Sequence, residues 1–163
     1  MILKSLRRIQ RTGLIELSPS LPPIALDVQQ HTLHGGVGYL TFNAFQPDHP
    51  SEILAAISKL DPSQPLIIDL RGNNGGSVNA TVEILAHFSD RRFLAFHKVG
   101  REEETAFFVT PVAPRRASRT VILVDEMSVS AAENFAAVMQ IHGLAKVVGT
   151  PTPGQLLWGE SFS

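Results

Sequence analysis

Pro65-Leu66-Ile67-Ile68-Asp69-Leu70-Arg71-Gly72-Asn73-Asn74-Gly75-Gly76 is the stretch from which the fold of this 163-residue chain is read. Its first half is a short unbroken apolar run, the pattern of a strand buried on both faces in a parallel sheet. Its second half is polar and carries three glycines in five residues, Gly72, Gly75 and Gly76. Glycines let backbone N–H groups approach a ligand closely, and the helix expected near 78–88 adds the positive end of a dipole. On this loop alone an oxyanion hole, an anion nest and a tight turn stay open. A phosphate loop is excluded, because the Gly-Lys-Ser/Thr ending is missing, and so is a dinucleotide fingerprint, because the spacing fails.

Outward from this stretch, further strands are expected at 37–42, 120–125 and 145–149, with short β segments at 93–98 and 105–110. Helices are expected at 51–60, with Ser51 as N-cap and Ile53, Ala56, Ile57 and Leu60 on one face, and at 78–88, with Val78, Val82, Leu85 and Ala86 on one face. A third runs from Ser130 to about His142. Strand and helix alternate, which makes this an α/β domain. Residues 1–35 read as an N-terminal arm or the remnant of a preceding region, since Pro19, Pro22 and Pro23 forbid a regular helix. Residues 36–163 form the core domain. The chain stops inside an expected strand, 156–162, so the core reads as truncated at its C-terminus. Open strand edges, with Trp158 and Phe162, offer a surface for a second copy.

Composition narrows the function classes. With 44% hydrophobic residues and a net charge of -1 the chain is globular. It has no cysteine, which removes disulfides, thiol nucleophiles and thiolate metal sites. Fourteen Lys+Arg against fifteen Asp+Glu leave no basic face for nucleic acid. No run approaches the ~18 apolar residues of a membrane span. Lys4, Arg7, Arg8 and Arg11 break any signal-peptide core, and localisation is left unassigned. No cofactor is expected. No metal is expected either, because His31 and His34 lack a third ligand.

A second loop completes the chemistry: Val124-Asp125-Glu126-Met127-Ser128-Val129-Ser130-Ala131-Ala132-Glu133. A serine on a strand-to-helix turn exposes its oxygen as a nucleophile, and the Ala131 amide at the helix start faces a developing oxyanion. The arrangement is analogous to a nucleophile elbow without Gly-x-Ser-x-Gly. The same residues also spell a capping box, Ser130 with Glu133. The two roles are compatible, and Ser128 is a second candidate cap.

Taken together the loops resemble the catalytic core of the C-terminal processing (tail-specific) serine peptidase family. Asp69–Gly76 resembles its Asp-Leu-Arg-Gly-Asn-x-Gly-Gly loop. Val124–Glu133 is similar to its Ser-Ala-Ser-Ala-Ser-Glu segment. Val147-Val148-Gly149-Thr150-Pro151-Thr152-Pro153-Gly154 resembles its Val-Val-Gly-Glu-x-Thr-x-Gly turn. The resemblance runs from about residue 36 to 160. It implies a ClpP/crotonase-like fold of stacked ββα units, with Ser130 as nucleophile and Ala131, Gly75 and Gly76 as oxyanion donors. It further implies peptide-bond hydrolysis through an acyl-enzyme on polypeptide substrates, in a family whose members are often exported or periplasmic.

The chain departs from that pattern at the base. The position of the family lysine holds Gln155, and a second polar partner falls on Gly159. Glutamine cannot take the serine proton, and losing the nucleophile–base unit costs roughly 10⁶ in kcat. The departure places the chain closer to the branch that lacks the lysine, which includes tricorn protease and interphotoreceptor retinoid-binding protein. In tricorn-like relatives a histidine serves instead, and His31 and His34 are the nearest local candidates. Lys98 and Lys146 read as solvent-facing. The alternative function is a non-catalytic domain on the same fold that binds peptides or lipophilic ligands. A crotonase-type acyl-CoA enzyme is a weaker third, since it has no need of the serine segment.

Overall fold

The computed structural model describes residues 12–15, 23–45, 50–100, 104–112 and 119–156. The expected strand at 156–162, with Trp158 and Phe162, lies almost wholly outside them. Nine strands and three helices follow in order among the described residues: β1 (Thr12–Ile15), β2 (Ile24–Leu26), β3 (Val28–Thr32), β4 (Gly38–Phe42), α1 (Ser51–Ser58), β5 (Leu66–Asp69), α2 (Val78–Leu85), β6 (Phe93–Val99), β7 (Glu104–Val109), β8 (Thr120–Val124), α3 (Ala131–Ile141) and β9 (Lys146–Gly149). The molecule is mixed α/β, as the alternation of patterns requires.

The central sheet has five strands in the order β3-β4-β5-β8-β9. Strands β4, β5, β8 and β9 run parallel, with Leu40 opposite Ile68 and Ile68 opposite Ile122. The continuous apolar run of β5 is explained by its place between two strands. Leu66, Ile68 and Asp69 are all buried, and Leu40, Ile68 and Ile122 form the middle of the core at 0% exposure. β6 and β7 make a separate antiparallel hairpin. The remaining pair, β1 and β2, is also antiparallel.

The sheet begins earlier than the sequence suggested. β3 pairs antiparallel with β4, from Val28 opposite Phe42 to Thr32 opposite Gly38, so residues 28–32 belong to the sheet and not to a separate arm. Val28-Gln29-Gln30-His31-Thr32 has no apolar alternation, and its backbone pairing alone makes it a strand. Other local readings shift too. Ser51 is the first helical residue, behind Pro50 at the N-cap. The N-cap of α2 is Ser77, whose side chain accepts from Ala80 N–H at 3.3 Å. The buried face of α2 is Ala80, Thr81, Ile84 and Leu85, with Val78 and Val82 only half-buried.

Helix α3 is anchored by Phe135, fully buried, whose ring lies 5.7 Å from Phe45 and 6.2 Å from Phe88. Phe45 follows β4 and Phe88 follows α2, so one side chain joins three segments around the site. Phe135→Ala is expected to cost about 3–5 kcal/mol, whereas Ile141→Ala on the same helix, 79% exposed, should change stability by about 0.5 kcal/mol or less. Urea unfolding midpoints of the two variants check this.

Candidate active site

Because β5 and β8 are parallel neighbours, the loops that follow them leave the same edge of the sheet. Three hydrogen bonds sew them together. Gly72 N–H donates to Asp125 Oδ1 (2.9 Å). The Ser128 hydroxyl donates to the Leu70 carbonyl (2.8 Å). Val129 N–H donates to the Asn73 carbonyl (3.0 Å). The end of β4 forms a third wall, where Asn74 N–H donates to the Asn43 carbonyl (2.9 Å) and Phe45 bridges to Gly76.

Ser130 stands at the junction, one residue before α3. Its backbone has φ 55° and ψ -114°, and it is the one non-glycine residue with positive φ among the described residues. Such a conformation costs on the order of 1–3 kcal/mol, and it is the backbone signature of a serine lifted on a strand-to-helix turn. Ser130 N–H donates to Glu133 Oε2 (2.9 Å), the Glu133 arm of the expected capping box. Gly75 lies directly against it: a Cβ there would sit 2.8 Å from both Ser130 Cβ and the Val129 carbonyl oxygen. Ser130 is half-buried, while Ser128 is fully buried and bonded on both sides within the loops. Of the two serines, Ser130 is the accessible one.

The glycine pair divides its work. Gly75 N–H donates to Asn73 Oδ1 (2.9 Å), so that amide is committed within the loop. Gly76 N–H and Ala131 N–H have no hydrogen-bond partner among the described residues. Gly75 serves by its missing Cβ, which lets Ser130 approach.

The sequence did not single out Asn73, which is fully buried and also donates Nδ2 to the Phe42 carbonyl (2.6 Å). An asparagine that bonds the backbone two residues on is Asx-turn chemistry, and the Asn73-x-Gly75 spacing is the signal that marks it.

The base candidates lie elsewhere. His34 occupies the β3–β4 turn, at the end of the sheet opposite the site, and His31 stacks on Tyr39 near that end (4.8 Å). His97 pairs with Glu104 on the hairpin, and His142 stacks on Phe93. His87 is half-buried behind α2, where burial pushes its pKa down against the opposing pull of Glu83. His49 lies outside the described residues. Lys146 is exposed as expected, but Lys98 is half-buried. Among the described residues no histidine or lysine bonds to Ser130 Oγ, and none groups with carboxylates as a metal cluster. Gln155 is exposed and follows Gly154, whose N–H donates to Glu133 Oε1 (2.7 Å), so position 155 is tied to the Ser130 turn. Beside Glu133 a cleft of about 340 Å³ opens between α3 and the end of β9.

Two carboxylates hold the loops electrostatically. Burial works against ionisation of Asp69, but the Arg71 guanidinium (2.9 and 2.6 Å), the Tyr39 hydroxyl (2.7 Å) and Arg71 N–H outweigh it and keep its pKa low. The Tyr39 phenol is pushed up to about 12 by burial and by this carboxylate. Burial likewise opposes the charge on Asp125, and the N–H groups of Gly72 and Met127 and the Ser128 hydroxyl overcome it.

The sequence model of peptidase family S41 matches residues 36–163. This chain belongs to peptidase family S41. Among curated S41-type relatives, the "Probable CtpA-like serine protease" of Staphylococcus epidermidis is 33% identical over 125 residues, covering 74% of this chain and 26% of that protein. The carboxyl-terminal-processing protease of Picosynechococcus sp. is 29% identical over 121 residues, covering 73% and 29%. The solved photosystem II D1 C-terminal processing protease superposes with a TM-score of 0.63 at 19% identity, over 80% of this chain and 37% of that one, a likeness of fold. The chain thus spans about a quarter of the length of the curated S41 relatives it matches.

The depressed carboxylates set the acid limit of this S41 domain. Each has a folded pKa below its unfolded value, so its stabilisation is complete above about pH 4 and is lost as pH falls through the folded value. Urea midpoints should decline modestly below about pH 6.5, where unfolding lets the buried His87 take up a proton, and drop more steeply below about pH 4. Asp125→Asn should lower stability at pH 7 by about 1–3 kcal/mol and flatten the acid decline. Midpoints measured from pH 7 to 2 check both.

Proposed function

We propose that this domain is the nucleophile-bearing core of a serine-type peptidase that cleaves polypeptides through an acyl-enzyme on Ser130. The observation that carries the reading is the strained, half-buried Ser130, with Gly75 packed against it and leaving room for the approach, and with the N–H groups of Gly76 and Ala131 uncommitted among the described residues. Ser130 Oγ attacks the scissile carbonyl carbon. The carbonyl oxygen takes up negative charge, and the Gly76 and Ala131 amides receive it. The dipole of α3 adds to the field at that point. Collapse of the tetrahedral species releases the amine portion and leaves an ester on Ser130, which water hydrolyses. Donors fixed in this way contribute about 10²–10³ each in rate. The Ser130 proton needs an acceptor, and Gln155 cannot serve; in this reading the base comes from sequence outside the described residues or from another chain. Polypeptides are the substrate class that family membership supports.

Gln155 also favours a second reading, a non-catalytic module that binds peptides or lipophilic ligands on the same scaffold. Reaction with a fluorophosphonate serine probe separates the two. The full-length protein should be labelled across pH 6 to 9, and Ser130→Ala should abolish labelling. Absence of labelling at every pH would sink the peptidase reading and leave the binding one.

A further inference from the structure

Glu133 is a carboxylate at 5% exposure, and among the described residues it has no cationic partner. Burying a charge without a counter-ion is costly unless hydrogen bonds replace the lost water. Here two backbone donors do so, and they belong to segments far apart in sequence. Oε2 accepts the N–H of Ser130 at 2.9 Å, three residues upstream, and Oε1 accepts the N–H of Gly154 at 2.7 Å, twenty-one residues downstream. A capping box needs only the first bond. The second exceeds any capping role and leads to the residue that precedes position 155.

A parallel tie runs beside it, where the Thr150 hydroxyl donates to Glu126 Oε2 at 2.9 Å. The turn after β9 is therefore pinned to the Ser130 loop by two acidic side chains, one exposed and one buried. The strained backbone of Ser130 persists only if its surroundings hold it, and Glu133 grips the amide of that very residue.

We propose that Glu133 is a positioning residue that couples the geometry of Ser130 to the seating of the 150–155 turn. Its carboxylate makes the serine and that turn one unit, so that whatever base works beside residue 155 is placed relative to the serine. This inference rests on the reading of Ser130 as nucleophile.

Glutamine at 133 retains one acceptor oxygen and can satisfy only one of the two amides; alanine satisfies neither. Amide hydrogen exchange should show the Ser130 and Gly154 amides losing protection together in Glu133→Ala, each by about tenfold or more. In Glu133→Gln only one of them should be lost. The core amides of Leu40, Ile68 and Ile122 should be unchanged in Glu133→Gln, which carries the test if the alanine variant fails to fold. In the full-length protein, fluorophosphonate labelling of Glu133→Gln should show a limiting inactivation rate lower by about tenfold, with the half-saturating probe concentration unchanged. A rate equal to that of the parent, or unaltered exchange at both amides, would overturn this inference and leave the peptidase reading standing. A parent protein that is never labelled removes the peptidase reading, and this role with it.

Discussion

Asn73 has no exposed surface, and each of its polar groups is committed at the meeting point of three segments. Nδ2 donates to the Phe42 carbonyl at the end of β4. Oδ1 accepts from Gly75, its N–H donates to Leu70, and its carbonyl accepts from Val129 on the serine loop. No other residue links the end of β4, the glycine loop and the Ser130 turn in this way among the described residues. Leaving such buried donors and acceptors unpaired costs about 1–3 kcal/mol each, so the side chain fixes the junction as a single arrangement. The closeness of Gly75 to Ser130 is held by it, because Asn73 bonds both Gly75 and the residue before the serine.

Strands β5 and β8 were readable because Leu66-Ile67-Ile68 and Val121-Ile122-Leu123-Val124 are unbroken apolar runs, which central parallel strands demand, and β4 because Leu40 and Phe42 alternate with half-buried Tyr39 and Thr41. β3 was not, since its polar residues pair through backbone groups that every sequence possesses. The buried face of α2 was half legible: Leu85 and Ala86 are buried as expected, but Val78 and Val82 are strong apolar residues that sit at the margin, while the small Ala80 and Thr81 are buried instead. The place of Ser130 and Ala131 at a strand-to-helix turn was legible from the order of motifs. The division between Gly75 and Gly76 was not, because two adjacent glycines look alike until a neighbour claims one of their amides. Position 155 was read as an anomaly. Its attachment to Glu133 through Gly154 required coordinates, since no periodicity links residues so far apart in the chain.

The electrostatic design favours the loops over the surface. Arg71 is 56% exposed at its side chain while its partner Asp69 is 5% exposed, so the ion pair ties the start of the glycine loop down onto β4 through Tyr39. Asp125 does the corresponding work on the serine loop with the N–H groups of Gly72 and Met127 and the Ser128 hydroxyl. Each of the two loops is thus held at its base by a carboxylate.

The backbone of Ser130 has a further meaning. At φ 55° and ψ -114° a glycine would rest without penalty, and replacing the serine by glycine would relieve about 1–3 kcal/mol of strain. The most stable version of this domain is therefore one without the hydroxyl. Selection for stability alone would erase the hydroxyl, so under the proposed reading of Ser130 as nucleophile a serine at this position sets fitness for folding against fitness for chemistry. The same conflict bears on laboratory evolution: libraries of this domain screened only for thermal resistance should drift toward glycine at 130, and the hydroxyl will be kept only where the screen also demands reaction.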